Sequence, residues 1–263
     1  MDTNNLLLKI LETNNYRIST DTRKDVFRSV YFALKGDNFD GNTFIAQAFQ
    51  KGAVAVVTED NTQAGEHVYI VQSVLESLQK LSNEYRKLFN IPLIAIGGSN
   101  GKTTSKELLA LVLKTKYKTH ATVGSLNNHI GVPLSIFAMP RDTEIGVFEI
   151  GANHPQEHTN LLKILEPTHV VVTNNGLDHL EGFGTPEGSR KANKEIFDWV
   201  KLQGTPLAFV HKNHPDLMED SQDIQRITYP DYELNTLSVT PRPVSLAFSY
   251  EDTPYTTLSL IHI

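Results

Sequence analysis

The chain of 263 residues contains no cysteine, and this absence excludes several kinds of chemistry. Without a thiol there can be no disulfide, no thiolate nucleophile and no cysteine ligand for a metal ion. A lack of cysteine is also typical of proteins of the cytoplasm, where disulfides rarely form. We therefore predict a cytoplasmic location.

An excess of positive charge is lacking as well. Lys and Arg number 24 against 30 Asp and Glu, which gives a formal net charge of −6. Because proteins bind nucleic acid through basic patches, this balance argues against a nucleic-acid partner. No stretch approaches the roughly 20 apolar residues of a membrane span, and Met1–Asn5 lacks the features of a signal peptide. We predict a monomer without a membrane partner.

The pattern of apolar residues predicts two α/β units, an N-terminal unit of residues 1–85 and a central unit of residues 86–263. A helix over 75–89 is predicted to connect them. In the central unit we expect strands at 93–96, 145–150, 169–173 and 206–210, with helices at 102–115, 155–165 and 186–202. This alternation is typical of a mostly parallel sheet, in which ligands bind at the carboxyl ends of the strands.

The most informative segment is Gly98-Ser99-Asn100-Gly101-Lys102-Thr103-Thr104, which follows the predicted strand Leu93–Ile96. A glycine-rich turn between a strand and a helix lets backbone N–H groups converge on phosphate oxygens. The lysine of such a loop reaches the β- and γ-phosphates, and the next hydroxyl holds Mg²⁺. Ile96 stands where the general pattern has its first glycine, so this loop is a shorter variant. We predict that these seven residues bind ATP and Mg²⁺.

Two further polar residues follow predicted strands of the same sheet. Glu149 comes directly after Ile145-Gly146-Val147-Phe148, and His179 follows the strand at 169–173. Taken singly, a glutamate at a strand end is equally typical of a structural salt bridge. A lone histidine is more often a surface or core residue than a metal ligand. Because both leave the sheet on the side of the phosphate loop, together they favour a second metal position beside it.

The segment Thr122–Pro133 is rich in side-chain amides and turn residues between two regular elements. It is longer than a plain connector needs to be. We interpret it as a binding loop, with a polar surface loop as the alternative.

These segments resemble the Mur ligase family, whose members add amino acids to a UDP-muramoyl peptide during peptidoglycan synthesis. The segments that carry the resemblance are the phosphate loop, Asn127-Asn128-His129-Ile130-Gly131-Val132-Pro133, Glu149-Ile150-Gly151-Ala152, His179-Leu180-Glu181-Gly182-Phe183-Gly184, Thr20-Asp21-Thr22-Arg23 and Ala33-Leu34-Lys35-Gly36 with Asp40-Gly41. The similarity extends through nearly all of residues 15–220. The asparagine segment and the histidine run favour the branch of the family that adds D-alanyl-D-alanine.

The resemblance implies an ATP-dependent, ADP-forming amide ligase. ATP would phosphorylate the terminal carboxylate of UDP-N-acetylmuramoyl tripeptide, and the amine of D-alanyl-D-alanine would attack the acyl phosphate. It implies catalytic roles for Lys102, Glu149 and His179, and metal binding by Thr103, Glu149 and His179. The implied substrate-binding residues are Thr20, Asp21, Arg23, Lys35 and Gly36 for the UDP end, and Asn127 and Asn128 for the muramoyl peptide.

The sequence departs from the family pattern in two respects. Asn193 stands where many members carry a carbamylated lysine, and the neighbouring Lys191 and Lys194 point elsewhere at helical spacing. Either Asn193 contacts the metal shell without a carbamate, or the second metal is held differently. We expect the family's C-terminal domain to be missing from this sequence, since Leu258–Ile263 resembles a translated sequencing adapter. We therefore expect a truncated chain that is inactive as a ligase by itself.

Three alternative functions remain open on the sequence. A sibling ligase that adds a diamino acid would share the phosphate loop and the metal residues, so only substrate tests separate it. A P-loop ATPase or kinase would act on ATP without a muramoyl peptide. A non-catalytic binding module would not need Lys102, Thr103, Glu149 and His179 together.

Overall fold

The computed structural model describes residues 3–176, 185–230, 237–241, 244–250 and 253–258. The N-terminal unit contains β1 (Ile18–Ser19), β2 (Val30–Phe32), β5 (Ala55–Thr58) and β6 (Val68–Ile70), and the hairpin strands β3 (Lys35–Gly36) and β4 (Phe39–Asp40). β1, β2, β5 and β6 form a parallel sheet in that order. Every residue of β2 and β5 is buried, as expected for the inner strands of a parallel sheet.

Helices cover the N-terminal sheet. They are α1 (Thr3–Thr13) and α2 (Ile45–Gln50), with short 3-10 turns at Gly41–Phe44 and Asn61–Gln63. α1 places Leu7 and Leu11, four residues apart and therefore on one face, in the core.

α3 (Val74–Arg86) lies between the two units. It begins at Ser73, whose hydroxyl accepts a hydrogen bond from the backbone N–H of Glu76 at 3.2 Å. Leu78, Leu81 and Tyr85 are buried in an apolar cluster that also contains residues of both sheets. Each of the two leucines stabilises the fold by about 1.5–3 kcal/mol. The structure confirms the predicted connecting helix, and the domain boundary at residues 85 and 86 stays a prediction.

The central unit has a six-stranded sheet in which every pair is parallel. Its strands are β7 (Leu93–Gly97), β8 (Thr119–Ala121), β9 (Ile145–Glu149), β10 (His169–Val172), β11 (Leu207–His211) and β12 (Arg226–Tyr229), in the order β12-β11-β10-β7-β9-β8. Its helices are α4 (Lys102–Leu113), α5 (Gly131–Phe137), α6 (Glu157–Leu165), α7 (Pro186–Gln203) and α8 (Pro215–Asp220). The predicted α/β class with a mostly parallel central sheet is confirmed.

This topology brings the strand ends together. Because all six strands are parallel, the segments after β7, β9 and β10 leave the same edge of the sheet, and β7 lies between the other two. α4 packs on one face, where Leu109 and Leu113 meet Ile145 and Val147. The site is therefore built at the centre of this edge.

Some elements differ from the prediction. α5 begins at Gly131, inside the segment interpreted as a loop, because Asn128 provides a helix start. β8 and β12 were not predicted. Beyond residue 236, β13 (Leu237–Pro241), β14 (Val244–Tyr250) and β15 (Thr253–Leu258) form an antiparallel sheet. Within the described ranges, no helix has the length and apolar character needed to cross a bilayer.

Candidate active site

The loop after β7 has a backbone that requires glycine at two positions. Gly98 has φ +114°, and a Cβ there would lie 2.3 Å from Thr173 Oγ1 and 2.8 Å from the Thr173 backbone nitrogen. Gly101 has φ +79° and is the residue that precedes the first turn of α4. Both conformations are unfavourable for residues with a side chain. The loop therefore lies in close contact with the residues just after β10, and α4 begins directly after it.

The end of β10 holds the loop in place. Ser99 N–H donates to the Asn174 carbonyl at 2.9 Å, and Asn100 N–H donates to Asn174 Oδ1 at 3.1 Å. Thr173 Oγ1 donates in return to the Asn100 carbonyl at 2.7 Å. The first N–H groups of a helix have no partner within the helix. A loop fixed in this way presents the start of α4 as a preorganised anion site.

Lys102 is the first residue of α4 and folds back over the loop. Its Nζ donates to the Gly98 carbonyl at 2.6 Å and to the Ser99 carbonyl at 2.7 Å. Thr103 and Thr104 follow at exposed positions of the same turn. The geometry thus brings an ammonium, two hydroxyls and the positive end of the helix dipole to one place.

Glu149 is the last residue of β9 and pairs in register with Ile96 of β7. Since side chains alternate along a strand, Glu149 shares the face of Ile145 and Val147, which is the face covered by α4. Its side chain is 1% exposed. Oε1 accepts a hydrogen bond from Asn127 Nδ2 at 2.7 Å, whereas Oε2 has no hydrogen-bond partner among the described residues. A buried carboxylate oxygen without a partner is a candidate cation ligand.

The two asparagines of the loop before α5 have different environments. Asn127 is half-buried and supports Glu149, and its carbonyl accepts from Gly151 N–H at 2.8 Å. Asn128 Oδ1 accepts from the N–H groups of Ile130 and Gly131 at the start of α5. Asn128 also lines an open cleft of about 620 Å³ between α3 and α6. Their contact with a muramoyl peptide stays a prediction.

The predicted residues of the N-terminal unit follow the carboxyl ends of β1 and β2. Asp21 pairs with Arg23 at 2.9 Å, and Lys35 pairs with Asp40 at 3.5 Å. Hydrogen bonds from Arg23 lower the pKa of Asp21 to about 2. Burial, with a smaller contribution from Asp21 and Asp40, raises the pKa of Tyr31 to about 12. Because β1 and β2 are neighbouring parallel strands, the structure brings the two motifs to one edge of the sheet, with Thr20 half-buried and Gly36 exposed.

His179, the third predicted metal ligand, lies outside the described residues. Of the predicted set, the structure places Thr103 in the first turn of α4 and Glu149 at the end of β9, on the face of the sheet that α4 covers. In the part of the chain that is described, no group of three or more His, Asp or Glu side chains is placed to hold a metal ion.

Comparison with known proteins identifies the family of this chain. The model of the Mur ligase middle domain matches residues 96–243, and the model of the Mur ligase family catalytic domain matches residues 17–96. The chain belongs to the Mur ligase family. One relative is the UDP-N-acetylmuramoyl-tripeptide--D-alanyl-D-alanine ligase of Bacillus subtilis, which is 35% identical over 235 residues, covering 86% of this chain and 51% of that protein. The chain thus spans about half the length of this curated relative.

Solved structures of Mur ligases are similar to the chain over most of its length. MurF from Acinetobacter baumannii superposes with a TM-score of 0.81 at 26% identity, covering 95% of this chain and 60% of that one. MurF from Thermotoga maritima, solved in complex with ADP, superposes with a TM-score of 0.77 at 28% identity. The match covers 92% of this chain and 57% of the T. maritima chain.

Asn193 of this Mur ligase chain lies on α7 and is 4% exposed. Its Nδ2 donates to Ser99 Oγ at 3.3 Å and to Asn175 Oδ1 at 2.9 Å, and Asn175 Nδ2 donates to Asp216 at 2.5 Å. The residue therefore bridges the phosphate loop to the segment after β10. Sequence reasoning had named Asn193 but missed Asn175, although its position just after a strand was a usable signal.

His158 is a second residue that sequence reasoning missed. It is buried on α6, its Nδ1 lies 2.9 Å from the Ala192 carbonyl, and its Nε2 has no partner among the described residues. Burial, opposed in part by the Ala192 hydrogen bond and by Glu195, lowers the pKa of His158. Its Nε2 would lie 3.6 Å from a Cβ at Gly97. The His158 imidazole thus lies at the base of the phosphate loop, on the face of the sheet opposite Glu149.

Proposed function

We propose that this chain is the acceptor- and nucleotide-binding part of an ATP-dependent amide ligase of peptidoglycan synthesis. The reaction joins D-alanyl-D-alanine to UDP-N-acetylmuramoyl tripeptide through an acyl phosphate. The observation that carries this proposal is a phosphate loop fixed by Asn174 beside a buried glutamate, Glu149, with an unpartnered oxygen. The printed names of the relatives, including the B. subtilis ligase and the MurF structures, support it.

The nucleotide occupies the loop in this proposal, as the ADP complex of the T. maritima relative supports. The backbone N–H groups at the start of α4 bind phosphate oxygens, and Ser99, Asn100 and Gly101 shape the loop around them. The ammonium of Lys102 exchanges the carbonyls of Gly98 and Ser99 for the β- and γ-phosphates. Positioning and charge stabilisation of this kind supply most of the catalysis in phosphoryl transfer.

The residues beside the loop fit a magnesium ion. Mg²⁺ binds oxygen ligands, and the chain offers the Thr103 hydroxyl and the unpartnered Oε2 of Glu149. When bound, the ion neutralises the charge of the phosphoryl oxygens. Asn127 donates a hydrogen bond to the other oxygen of Glu149 and so helps to orient the carboxylate. His179 completes the proposed set.

The acceptor binds across the two units. Arg23 and Lys35 supply the positive charge for the diphosphate, since a guanidinium pairs with phosphate oxygens in a bidentate way. Asp21, which now pairs with Arg23, orients that guanidinium. Asn127 and Asn128 contact the muramoyl peptide, whose terminal carboxylate must reach the γ-phosphate. We place the reaction in the cytoplasm, and infer a monomer with no membrane or nucleic-acid partner.

Equilibrium binding to the 263-residue chain tests the proposal. Calorimetric titration with UDP-muramoyl tripeptide and with Mg·ATP should show binding of both. UDP-muramoyl dipeptide should bind at least tenfold more weakly than the tripeptide, because a loss of about 1.4 kcal/mol of binding free energy corresponds to a tenfold weaker affinity. Preference for the dipeptide would favour the sibling ligase. Binding of Mg·ATP without any binding of either muramoyl peptide would favour a P-loop ATPase or kinase.

A further inference from the structure

Lys106 is a lysine with no exposed surface, one turn after Lys102 on α4. Its Nζ donates to the carbonyls of Thr122 at 2.6 Å and Gly124 at 3.1 Å, and lies 2.8 Å from Glu107 Oε1. The Glu107 side chain is itself 59% exposed. The burial of a charged group is costly unless it is hydrogen-bonded. The two carbonyls are therefore the hydrogen-bond partners that this buried ammonium requires.

The segment that Lys106 binds is the one that supports Glu149. Thr122 Oγ1 accepts from the backbone N–H of Glu149 at 3.2 Å. Five residues later, Asn127 donates to Glu149 Oε1 at 2.7 Å and accepts from Gly151 N–H. A continuous set of contacts thus runs from α4 through residues 122–127 to the carboxylate. None of these contacts involves the glycines of the phosphate loop.

Lys106 belongs to the helix that carries the phosphate-loop residues, so its contact connects that helix to the segment that supports Glu149. α4 is a rigid helix, and its first turn carries Lys102 and Thr103. A ligand that draws the first turn toward itself also moves Lys106, because both belong to one helix. A shift of the helix would be passed on to the carbonyls that the ammonium binds, and through this segment to Asn127. Coupling between sites needs a physical connection of this type.

We propose that Lys106 is a positioning residue that couples the phosphate loop to the acceptor side of the site. The position of the loop of residues 122–127 then depends on whether α4 has bound a nucleotide. Through Asn127, the orientation of Glu149 depends on it as well. This inference rests on the proposed function, since it concerns the acceptor and nucleotide of that site.

The test compares Lys106→Met with Glu107→Gln in the 263-residue chain. Methionine has a similar volume and no ammonium, whereas Glu107→Gln removes only the exposed partner. Each protein is titrated with UDP-muramoyl tripeptide, with and without saturating Mg·ADP. In the wild type and in Glu107→Gln, Mg·ADP should strengthen acceptor binding by about fivefold or more. In Lys106→Met that enhancement should vanish, while the affinity for Mg·ADP alone stays within about twofold.

Hydrogen exchange gives a second readout that a purely structural role would not change. Mg·ADP should slow the exchange of amides 123–127 in the wild type and leave them unaffected in Lys106→Met. If Lys106→Met does not fold, Thr122→Val tests the same path, because it keeps the Lys106 contact and removes the hydroxyl bound to Glu149. It should lose the same enhancement. A folded variant that keeps the full enhancement overturns the inference alone, and a wild type that binds no muramoyl peptide overturns the proposed function and the inference with it.

Discussion

The two units of the molecule both place polar residues after the ends of parallel strands, but they prepare these residues differently. In the central unit Glu149 is buried and retains an oxygen without a partner among the described residues, and Gly98 is held against the end of β10. In the N-terminal unit Asp21 and Arg23 satisfy each other, and the Arg23 side chain is 87% exposed.

This difference separates two ways of building a site. A buried carboxylate oxygen without a hydrogen-bond partner costs free energy, and the neighbouring residues hold the carboxylate in place. An exposed ion pair contributes little to stability and must rearrange to bind a ligand. We therefore expect the largest losses of stability, together with losses of binding, from substitutions in the central unit, and mainly losses of binding from substitutions in the N-terminal unit.

The largest effect is expected for Gly98→Ala. The new Cβ meets the backbone and hydroxyl of Thr173 and forces an unfavourable φ, so the free energy of unfolding should fall by about 3 kcal/mol, and nucleotide binding should be lost. Gly101→Ala is the matched control, because its φ is also positive but no atom lies within 4 Å of the new Cβ. It should cost about 1–2 kcal/mol. Urea unfolding of the two variants measures the difference, and equal losses would contradict the role of Thr173.

Glu149→Gln should reduce binding more than stability. The amide oxygen can still accept from Asn127, so the melting temperature should change little. The amide that replaces Oε2 cannot bind a cation as a carboxylate does. We expect the strengthening of ATP binding by Mg²⁺ to fall about 100-fold. Titration with ATP at several Mg²⁺ concentrations measures it, and an unchanged dependence would exclude Glu149 from the metal site.

Asn193→Ala should have an intermediate effect. It removes the bridge between Ser99 and Asn175 and should lower the free energy of unfolding by about 1–2 kcal/mol, with a several-fold weaker nucleotide affinity. Turnover of an active enzyme that carries the change should fall without being abolished. Lys194→Ala, in the next position of α7, removes only a partly exposed pair with Asp198 and should cost less than about 0.5 kcal/mol. Equal nucleotide affinity in both variants would remove Asn193 from the site.

The smallest effect concerns Asp21 and appears only in acid. Arg23 lowers the pKa of Asp21 to about 2 in the folded chain, from a usual value near 3.8. The pair therefore stabilises the fold fully above about pH 4, and this contribution is lost as the pH falls toward 2. Wild-type stability should decline more steeply than that of Asp21→Asn across this window, as thermal unfolding at closely spaced pH values would show. Parallel curves would mean that the pair does not persist in solution.

The sequence was sufficient for the elements with strong local patterns. The phosphate loop and α4 were predicted because a buried strand, glycines and a helical stripe occur together. α5 was not, because Asn128, Gly131 and Pro133 read locally as turn residues, and only the contacts of Asn128 Oδ1 with two backbone N–H groups reveal a helix start. β8 was missed since three residues at a sheet edge give too short a pattern.

For the site, the sequence named the individual groups but not the contacts between them. Glu149 could be placed at a strand end, yet its contact with Asn127 joins residues 22 positions apart. Lys106 lies on the same stripe as Ala110, which marks it as inward-facing, but the carbonyls that receive its ammonium belong to a distant loop. Such long-range pairs depend on the packing of whole elements.

A crossed titration tests the central claim most directly, namely that one unit binds the nucleotide and the other the UDP end of the acceptor. Lys102→Ala and Arg23→Ala are each titrated with Mg·ATP and with UDP-muramoyl tripeptide. We predict that Lys102→Ala loses at least tenfold in affinity for Mg·ATP and keeps its acceptor affinity in the absence of nucleotide, and that Arg23→Ala shows the reverse. If either variant weakened the binding of both ligands equally, or if Arg23→Ala left acceptor binding unchanged, the assignment of one ligand to each unit would be wrong.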